Sequence, residues 1–454
     1  MAREAGSAKN INMTEGPYRK QIVQFAIPLF FGNLFQQLYN TADSLIVGNA
    51  RGPEALAAVS SSASLISLFI GFFNGIAMGA GVVIARYYGA RDLEKVRRAI
   101  HTSVTFGLLC GVFLTGFGMA ATPWLLRLMG TPAEVLPESI LYFRVYFAGA
   151  LGLVMYNMLM GIFNAVGDSR HPLYYLILSS CLNVVLDILF VPVLGYGVGA
   201  AALATIISQF VSAVISAVNL ARGPEEYRLD FRKLAIDKGM IGQVLQNGVP
   251  AGIQHSIISL GNVVVQSNIN AFGGMAMAGC GSYSKIEGFG FLPITCFVSS
   301  LTTFVSQNLG AGNYERAKKG AAFGIGVAVV IAEIIGILVN LGSPWLISLF
   351  TDEPEAIRYG VIYARTVSVF FCLLAFSHCA AGVLRGAGKP VLPTVIMVSD
   401  WCAFRVLYVT VATSVWPDIR AVLTAYPVTW SISTVIFLVY LLRSDWVHGF
   451  EENK

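Results

Sequence analysis

The sequence predicts an all-α polytopic membrane protein, with twelve transmembrane helices in two six-helix lobes related by pseudo-twofold symmetry. Three observations carry this. Only 12% of the 454 residues are charged, 56% are hydrophobic, and mean hydropathy is +0.68. A soluble domain carries about 25% charged residues to clothe its surface, so lipid is the solvent for most of this chain. The apolar residues fall in long continuous runs, which excludes the short alternating strands of a membrane barrel. Finally, the second half restates the first.

A helix needs about 20 apolar residues to cross a bilayer. Twelve stretches qualify: 21–48, 55–84, 99–122, 139–164, 173–193, 197–221, 244–271, 277–307, 320–342, 358–385, 391–413 and 419–442. Chain breakers lie between them, including Gly52-Pro53, Thr131-Pro132, Gly167-Asp168, Gly223-Pro224, Gly388-Lys389-Pro390 and Trp416-Pro417. No cleavable signal peptide is expected, because the first 20 residues are polar and the first apolar stretch is too long for one.

The halves match at an offset of 221. Pro123-Trp124-Leu125 pairs with Pro344-Trp345-Leu346, Gly161 with Gly382, Gly167 with Gly388, and Pro172 with Pro393. The loop Gly89 to Arg98 pairs with Gly310 to Lys319. Six helices in each copy give both repeats the same orientation in the membrane. The expected organisation is a tail (1–20), an N-lobe (21–221), a polar linker (222–243), a C-lobe (244–442) and a second tail (443–454). Two parallel six-helix repeats are a common plan for secondary transporters. No GxxxxGK[ST] loop is present, so an ion gradient is the expected energy source.

Charge sets the orientation. Of the 30 Lys and Arg residues, 22 fall on one side of the predicted topology, together with both tails. That side is expected to be cytoplasmic, in a multi-pass protein of the plasma or inner membrane. The net charge of +5 is thereby absorbed as a topology signal, and no nucleic-acid partner is expected. The bilayer is the expected environment and a monomer the expected state. The seven cysteines lack CxxC pairs and metal spacing, so neither disulfides nor a structural metal is expected.

Ionisable groups inside spans are costly and usually functional. In the first span Asn33, Gln36, Asn40 and Asp43 recur at helical spacing and share a face, with Pro28 placed to kink the helix. In the fifth span Asn183 and Asp187 are one turn apart, and Thr205 of the sixth lies at a depth that can match. Two carboxylates with amide and hydroxyl oxygens suit Na+, and they equally suit a proton. If the ion is Na+, Asp43, Asn183 and Asp187 are its expected ligands.

The matching place in the second half is polar but not acidic. It carries His255, Ser259, Asn262, Gln266 and Asn270, with Val264 or Val265 opposite Asp43. Glu287 and Asp400 are read either as structural pairs of neighbouring cations or as substrate contacts. Lys285 and Glu287 are two apart and cannot pair within a helix, while Asp400 and Arg405, five apart, allow only a loose pairing. Glu333 lies mid-span with no partner visible in the sequence. Phe30, Phe31, Phe35, Tyr39, Met155, Tyr156, Met158 and Met160 either line a greasy cavity for flat organic cations or pack against neighbours.

These residues resemble the multidrug and toxic compound extrusion (MATE) family of antiporters. The segment Gln36-Gln37-Leu38-Tyr39-Asn40-Thr41-Ala42-Asp43, the loop Gly310-Ala311-Gly312-Asn313 and the stretch Gly161 to Gly167 carry the resemblance. It implies a V-shaped pair of lobes that expels cationic amphipathic drugs or dyes in exchange for H+ or Na+, with no other cofactor and no enzymatic activity. It is closer to the DinF-like branch than to the NorM-like one. That branch implies a coupling site at Asp43, Asn183, Asp187 and Thr205, with bending at Pro28. The expected substrate cavity takes in Asn33, Gln36, Tyr39, Asn40, His255, Asn262, Gln266, Glu287 and Asp400. A lipid-linked oligosaccharide flippase of the same superfamily is the alternative. It needs a basic patch, for which only Lys285, Arg365 and Arg405 are available.

Overall fold

Ten helical stretches of the chain are apolar and long enough to cross a bilayer, counting one bent pair as a single span, among the residues that the structure describes. The structure is a computed structural model that describes residues 11–128, 136–196 and 199–450, without the side chains of 42–68. Among these residues there is no strand. The helices are α1 (Tyr18–Gly89), α2 (Leu93–Leu128), the bent pair α3 (Leu136–Ala148) and α4 (Ala150–Ala165), α5 (Arg170–Ile188) and α6 (Gly199–Arg222). Then come α7 (Lys238–Asn270), α8 (Gly274–Gly310), α9 (Tyr314–Ser348), α10 (Pro354–Val367) and α11 (Phe371–Gly386). The last are α12 (Val391–Val398), α13 (Arg405–Val415), α14 (Ile419–Leu423) and α15 (Ala425–Arg443). The first two expected spans fall in α1, whose helix runs on through Gly52-Pro53, so the expected break there does not end it. α7 is long enough to span but too polar to be counted by composition.

Large apolar side chains lie bare on the surface, among them Phe113, Leu341, Trp345, Val415 and Leu442. In water such a surface would aggregate; in a bilayer it is the lipid face. All seven cysteines are free.

Helix ends follow local chemistry. The carboxylates of Asp92, Asp168, Asp237 and Asp418 accept from backbone N–H groups in the first turns of α2, α5, α7 and α14. Hydrogen bonding from Lys95 also holds the Asp92 carboxyl below the ordinary carboxylate range. The repeat pair Gly167 and Gly388 ends α4 and α11 in the same way. Both have positive φ, and the next residue donates five back, Asp168 to Phe163 O and Lys389 to Leu384 O, each at 2.9 Å. This is a Schellman closure, which favours glycine at that position.

Two compact units emerge. The first comprises Met1–Asn12 and Phe31–Gly252, and the second Met13–Phe30 and Ile253–Lys454. Of the three boundaries, one lies just ahead of α1 and two fall inside helices, α1 and α7; none lies in the polar linker. The linker itself belongs to the first unit. It is clasped onto α2 by Asp230 N donating to His101 Nε2 at 3.0 Å and Asp237 N donating to Thr102 Oγ1 at 3.1 Å. The other ring nitrogen of His101 faces Arg97 O at 2.6 Å, so the ring is a structural link. The core of this unit gathers Ile84, Ile100, Leu159, Ile162, Phe163 and Val244.

In the second unit the segment leading into α1 is held by α8 and α9. Asn308 donates to Met13 O at 2.9 Å, Ser300 to Ile22 O at 3.0 Å, and Arg316 to Gly16 O at 2.7 Å and Gln21 Oε1 at 2.6 Å. The Gly310 to Lys319 motif, noticed in the sequence as a repeat, therefore fixes the entry of the chain into its first helix.

Glu333 gains a role here. The Cys372 N–H in the first turn of α11 donates to its Oε2 at 3.2 Å. α11 begins anew after a 3-10 break at Ser368–Phe370, so its first amides lack helical partners and a carboxylate satisfies one. Glu333→Leu is expected to lower stability by about 1–3 kcal/mol, while Glu333→Gln, which keeps the acceptor, costs much less. Thermal melting in detergent checks this, and coincident curves for E333L and wild type would remove the capping role.

Candidate functional site

α5 and α6 pack side by side in the first unit and bring three of the predicted residues together. Asn183 and Asp187 are one turn apart on α5 and are 1% and 0% exposed. Thr205 is on the facing side of α6. With its amide oriented to satisfy both ends, Asn183 donates to Asp187 Oδ2 at 3.2 Å and accepts from Thr205 N at 3.2 Å, with Thr205 Oγ1 at 3.3 Å. One residue after Asp187 the α-helix gives way to a π-helical segment, Leu189–Val193, which contains Pro192. π-segments and proline both disturb the hydrogen-bond ladder, and such breaks cluster at functional sites. The result is a compact cluster of carboxylate, amide and hydroxyl oxygens away from water. Such a cluster accepts a hard cation or a proton and little else.

Asp43, the fourth member of the predicted set, lies in α1 among the residues whose side chains are not described. Pro28 sits in α1 in the second unit. On α1 within the first unit Asn33, Gln36 and Tyr39 are half-buried and Asn40 is exposed. Met155, Tyr156, Met158 and Met160 are all buried in the core of the first unit, so for them the packing alternative holds. Phe31 and Phe35 are exposed.

In the second unit, one face of α7 exposes His255, Asn262 and Gln266, and Gln266 donates to Asn270 Oδ1 at 2.8 Å. Glu287 is half-buried. Asp400 is buried, and neither of its carboxylate oxygens has a hydrogen-bond partner among the described residues. Lys285 and Glu287 form no pair, and Lys285 lies 5.5 Å over the Phe350 ring. His378 is packed between Phe291 and Trp401 at centroid distances of 4.9 and 5.0 Å. Between α12 and α13 the chain runs through a second π-helical segment, Ser399–Phe404. A π-turn repeats nearer every five residues, so Asp400 and Arg405 share a side that α-helical spacing denies them. Even so, they form no ion pair among the described residues. Among the described residues no group of three His, Cys, Asp or Glu side chains could hold a metal ion.

Sequence reasoning missed the surroundings of Arg405. This guanidinium, 2% exposed, is cradled by neutral groups from three helices. The signal was available, since any arginine deep in an apolar run calls for an explanation.

The repeat points to a known family. The profile of the MatE family matches residues 28–189 and again 250–411. The chain belongs to the MatE family. Members of this family are transporters, so this MatE chain is a membrane transporter of small molecules and not an enzyme. It is 28% identical over 424 residues to a Bacillus subtilis (strain 168) protein named "Probable multidrug resistance protein YoeA", with 92% of each chain covered. It is 27% identical over 395 residues to the Thermotoga maritima protein named "Probable multidrug resistance protein NorM", covering 85% of this chain and 84% of that one. Its fold is similar to that of a multidrug resistance MATE family transporter of the MOP superfamily solved in an outward-facing conformation. There the TM-score is 0.91 at 25% identity, over 98% of this MatE chain and all of the other.

Proposed function

We propose that this chain is a secondary active multidrug efflux antiporter. It expels cationic amphipathic organic compounds in exchange for H+ or Na+ by alternating access. The buried cluster of Asp187, Asn183 and Thr205 is the observation that supports this reading most strongly. With Asp43 it forms the coupling site. Cation binding there favours one state of the transporter and drug binding the other, so each ligand displaces the other. The polar residues of α1 and of the α7 face contact the drug. Both termini and the side holding 22 of the 30 Lys and Arg residues face the cytoplasm.

The flippase alternative gains little support. Lys285 stacks on Phe350, while Arg405 lies buried among Tyr426, Trp401 and Thr429. A pyrophosphate needs its cations gathered in one place.

Dye efflux from vesicles, with a pH gradient and a Na+ gradient imposed separately, tests the reading. One gradient is expected to drive efflux, and Asp43→Asn is expected to stop it. Undiminished gradient-driven efflux by D43N would sink the mechanism.

A further inference from the structure

Where the polar linker is clasped to α2, it leaves a groove whose charges the efflux reading does not use. The groove encloses about 510 Å³ between the first turns of α2 and the linker, within the first unit. Arg97, Arg98 and Thr102 line it from α2, and Lys233, Ile236 and Asp237 from the linker. Its walls are tied together by the hydrogen bonds that the linker makes to His101 and Thr102. Asp230 also caps the short turn Phe231–Lys233, accepting from Arg232 N at 3.0 Å, and so fixes the backbone that carries Lys233.

The two acids of the groove are already engaged. Glu94 accepts from Arg98 Nη2 at 2.5 Å. Asp237 Oδ1 accepts from Gly239 N and Met240 N at 2.9 and 3.0 Å, and its Oδ2 lies 3.9 Å from Arg98 Nη1. Lys233 has only Asp230, at 3.9 Å. The Arg97 guanidinium makes no side-chain hydrogen bond or ion pair among the described residues. A planar fork of donors with no partner, beside an ammonium, suits a phosphate. Position indicates which phosphate. Leu109 and Val112 follow Arg98 by about three and four whole turns, so they share its side of α2. Both are bare on the lipid face, at 56% and 61% exposure. Arg98 to Leu109 is about 16 Å along the axis, close to the half-thickness of the hydrocarbon core, about 15 Å. The groove side of α2 therefore runs on into a strip that an acyl chain can follow. Ile236 on the wall and Phe231 on the turn are exposed too, which suits headgroup depth better than open water.

We propose that this groove binds an anionic phospholipid from the leaflet on the linker's side. Arg97 and Lys233 hold its phosphate, and its acyl chains lie along Leu109 and Val112. Any basic surface attracts anionic lipid diffusely. What is added here is a formed groove with an unpartnered arginine in its wall and an apolar strip below it. The proposal does not depend on the efflux reading.

Phosphatidylglycerol with a fluorophore on its acyl chain tests this, with anisotropy measured on the purified full chain in non-ionic detergent micelles. Unlabelled phosphatidylglycerol, phosphatidylcholine and inorganic phosphate compete with it. Phosphatidylglycerol is expected to displace the probe at about tenfold lower concentration than phosphatidylcholine, the scale of one hydrogen bond to a charged group. Millimolar inorganic phosphate is expected to leave the probe bound. Arg97→Gln should weaken probe binding about tenfold and Lys233→Gln by a smaller factor. Arg228→Gln removes an exposed linker cation outside the groove and should change binding by less than about twofold. The proposal is overturned if phosphatidylcholine competes as well as phosphatidylglycerol, or if R97Q and R228Q weaken binding equally, the signature of diffuse charge alone. Displacement by inorganic phosphate marks a site for a soluble anion and overturns it as well. Arg97 is exposed and unpaired, so R97Q is expected to fold; should it not, K233Q against R228Q makes the same comparison.

Discussion

Asp187→Asn is expected to uncouple the transporter while leaving it folded and able to bind dye. The two side chains have the same shape, and the oxygen of an asparagine at this position can still accept from the Asn183 amide now 3.2 Å from Asp187 Oδ2. What is lost is the negative charge. Without it the cluster neither titrates nor balances a bound cation, because a neutral amide in a site this dry offers too little to replace the ion's water. Coupling between ion and drug is a free energy shared by the two sites, commonly 5–150-fold in affinity. In wild type, the dye Kd should therefore move by that order when the coupling ion is raised, by lowering the pH or by adding Na+. In D187N the Kd should stay fixed under both changes, and gradient-driven efflux should fall to the leak rate. Asn183→Leu removes the amide and retains the charge, so it should weaken ion binding without eliminating the dependence. A dye Kd that still responds to the ion in D187N would place the coupling site elsewhere.

The parts of this picture legible in the sequence were those that obey local periodicity. Asn183 and Asp187 at spacing four announced a shared face, and apolar run length predicted the helices that hold them. Thr205 could be placed only by depth, yet the run lengths of the fifth and sixth spans were regular enough for that to suffice. The misses arose where the local rule changes. Asp400 and Arg405 were judged by α-helical spacing, but that stretch is a π-helix, which re-aims both side chains. Glu333 had no visible partner because its partner is a backbone amide, exposed only where α11 starts afresh at Phe371. The polar linker was the natural place to divide the chain. Compactness instead follows packing, and packing assigns the first turns of α1 to the second unit and the first half of α7 to the first. Met155 to Met160 show the limit of composition, since the same soft side chains suit a drug cavity or a core, and burial assigns them to the core.

A tight packing constraint lies in the first unit, where α1 and α7 meet through two pairs of glycines at spacing four. A Cβ added at Gly75 would fall on the Gly252 backbone, and one added at Gly79 on the Gly248 backbone. The reverse also holds. A Cβ at Gly248 would meet Ile76 Cα at 2.7 Å, and one at Gly252 would meet Phe72 O at 2.7 Å. No side chain fits at any of the four, and the colliding atoms are backbone, so a rotamer change cannot relieve them. This close approach does for the pair what a hydrophobic drive cannot do within lipid, because tails are as apolar as leucine and only tight packing distinguishes helix from solvent. Gly79→Ala is expected to cost roughly 3 kcal/mol or more, at the upper end of overpacking effects because two backbones must separate. Gly79→Leu should abolish the folded protein. Size-exclusion profiles of fluorescent fusions read this directly as loss of the monodisperse peak. Gly116→Ala and Gly326→Ala are the matched controls, since a Cβ there meets nothing within 4 Å and each helix gains about 1 kcal/mol of intrinsic propensity. If G79A melts with the controls, the two helices can part without penalty, and the crossing is not what holds the start of α7 to the first unit.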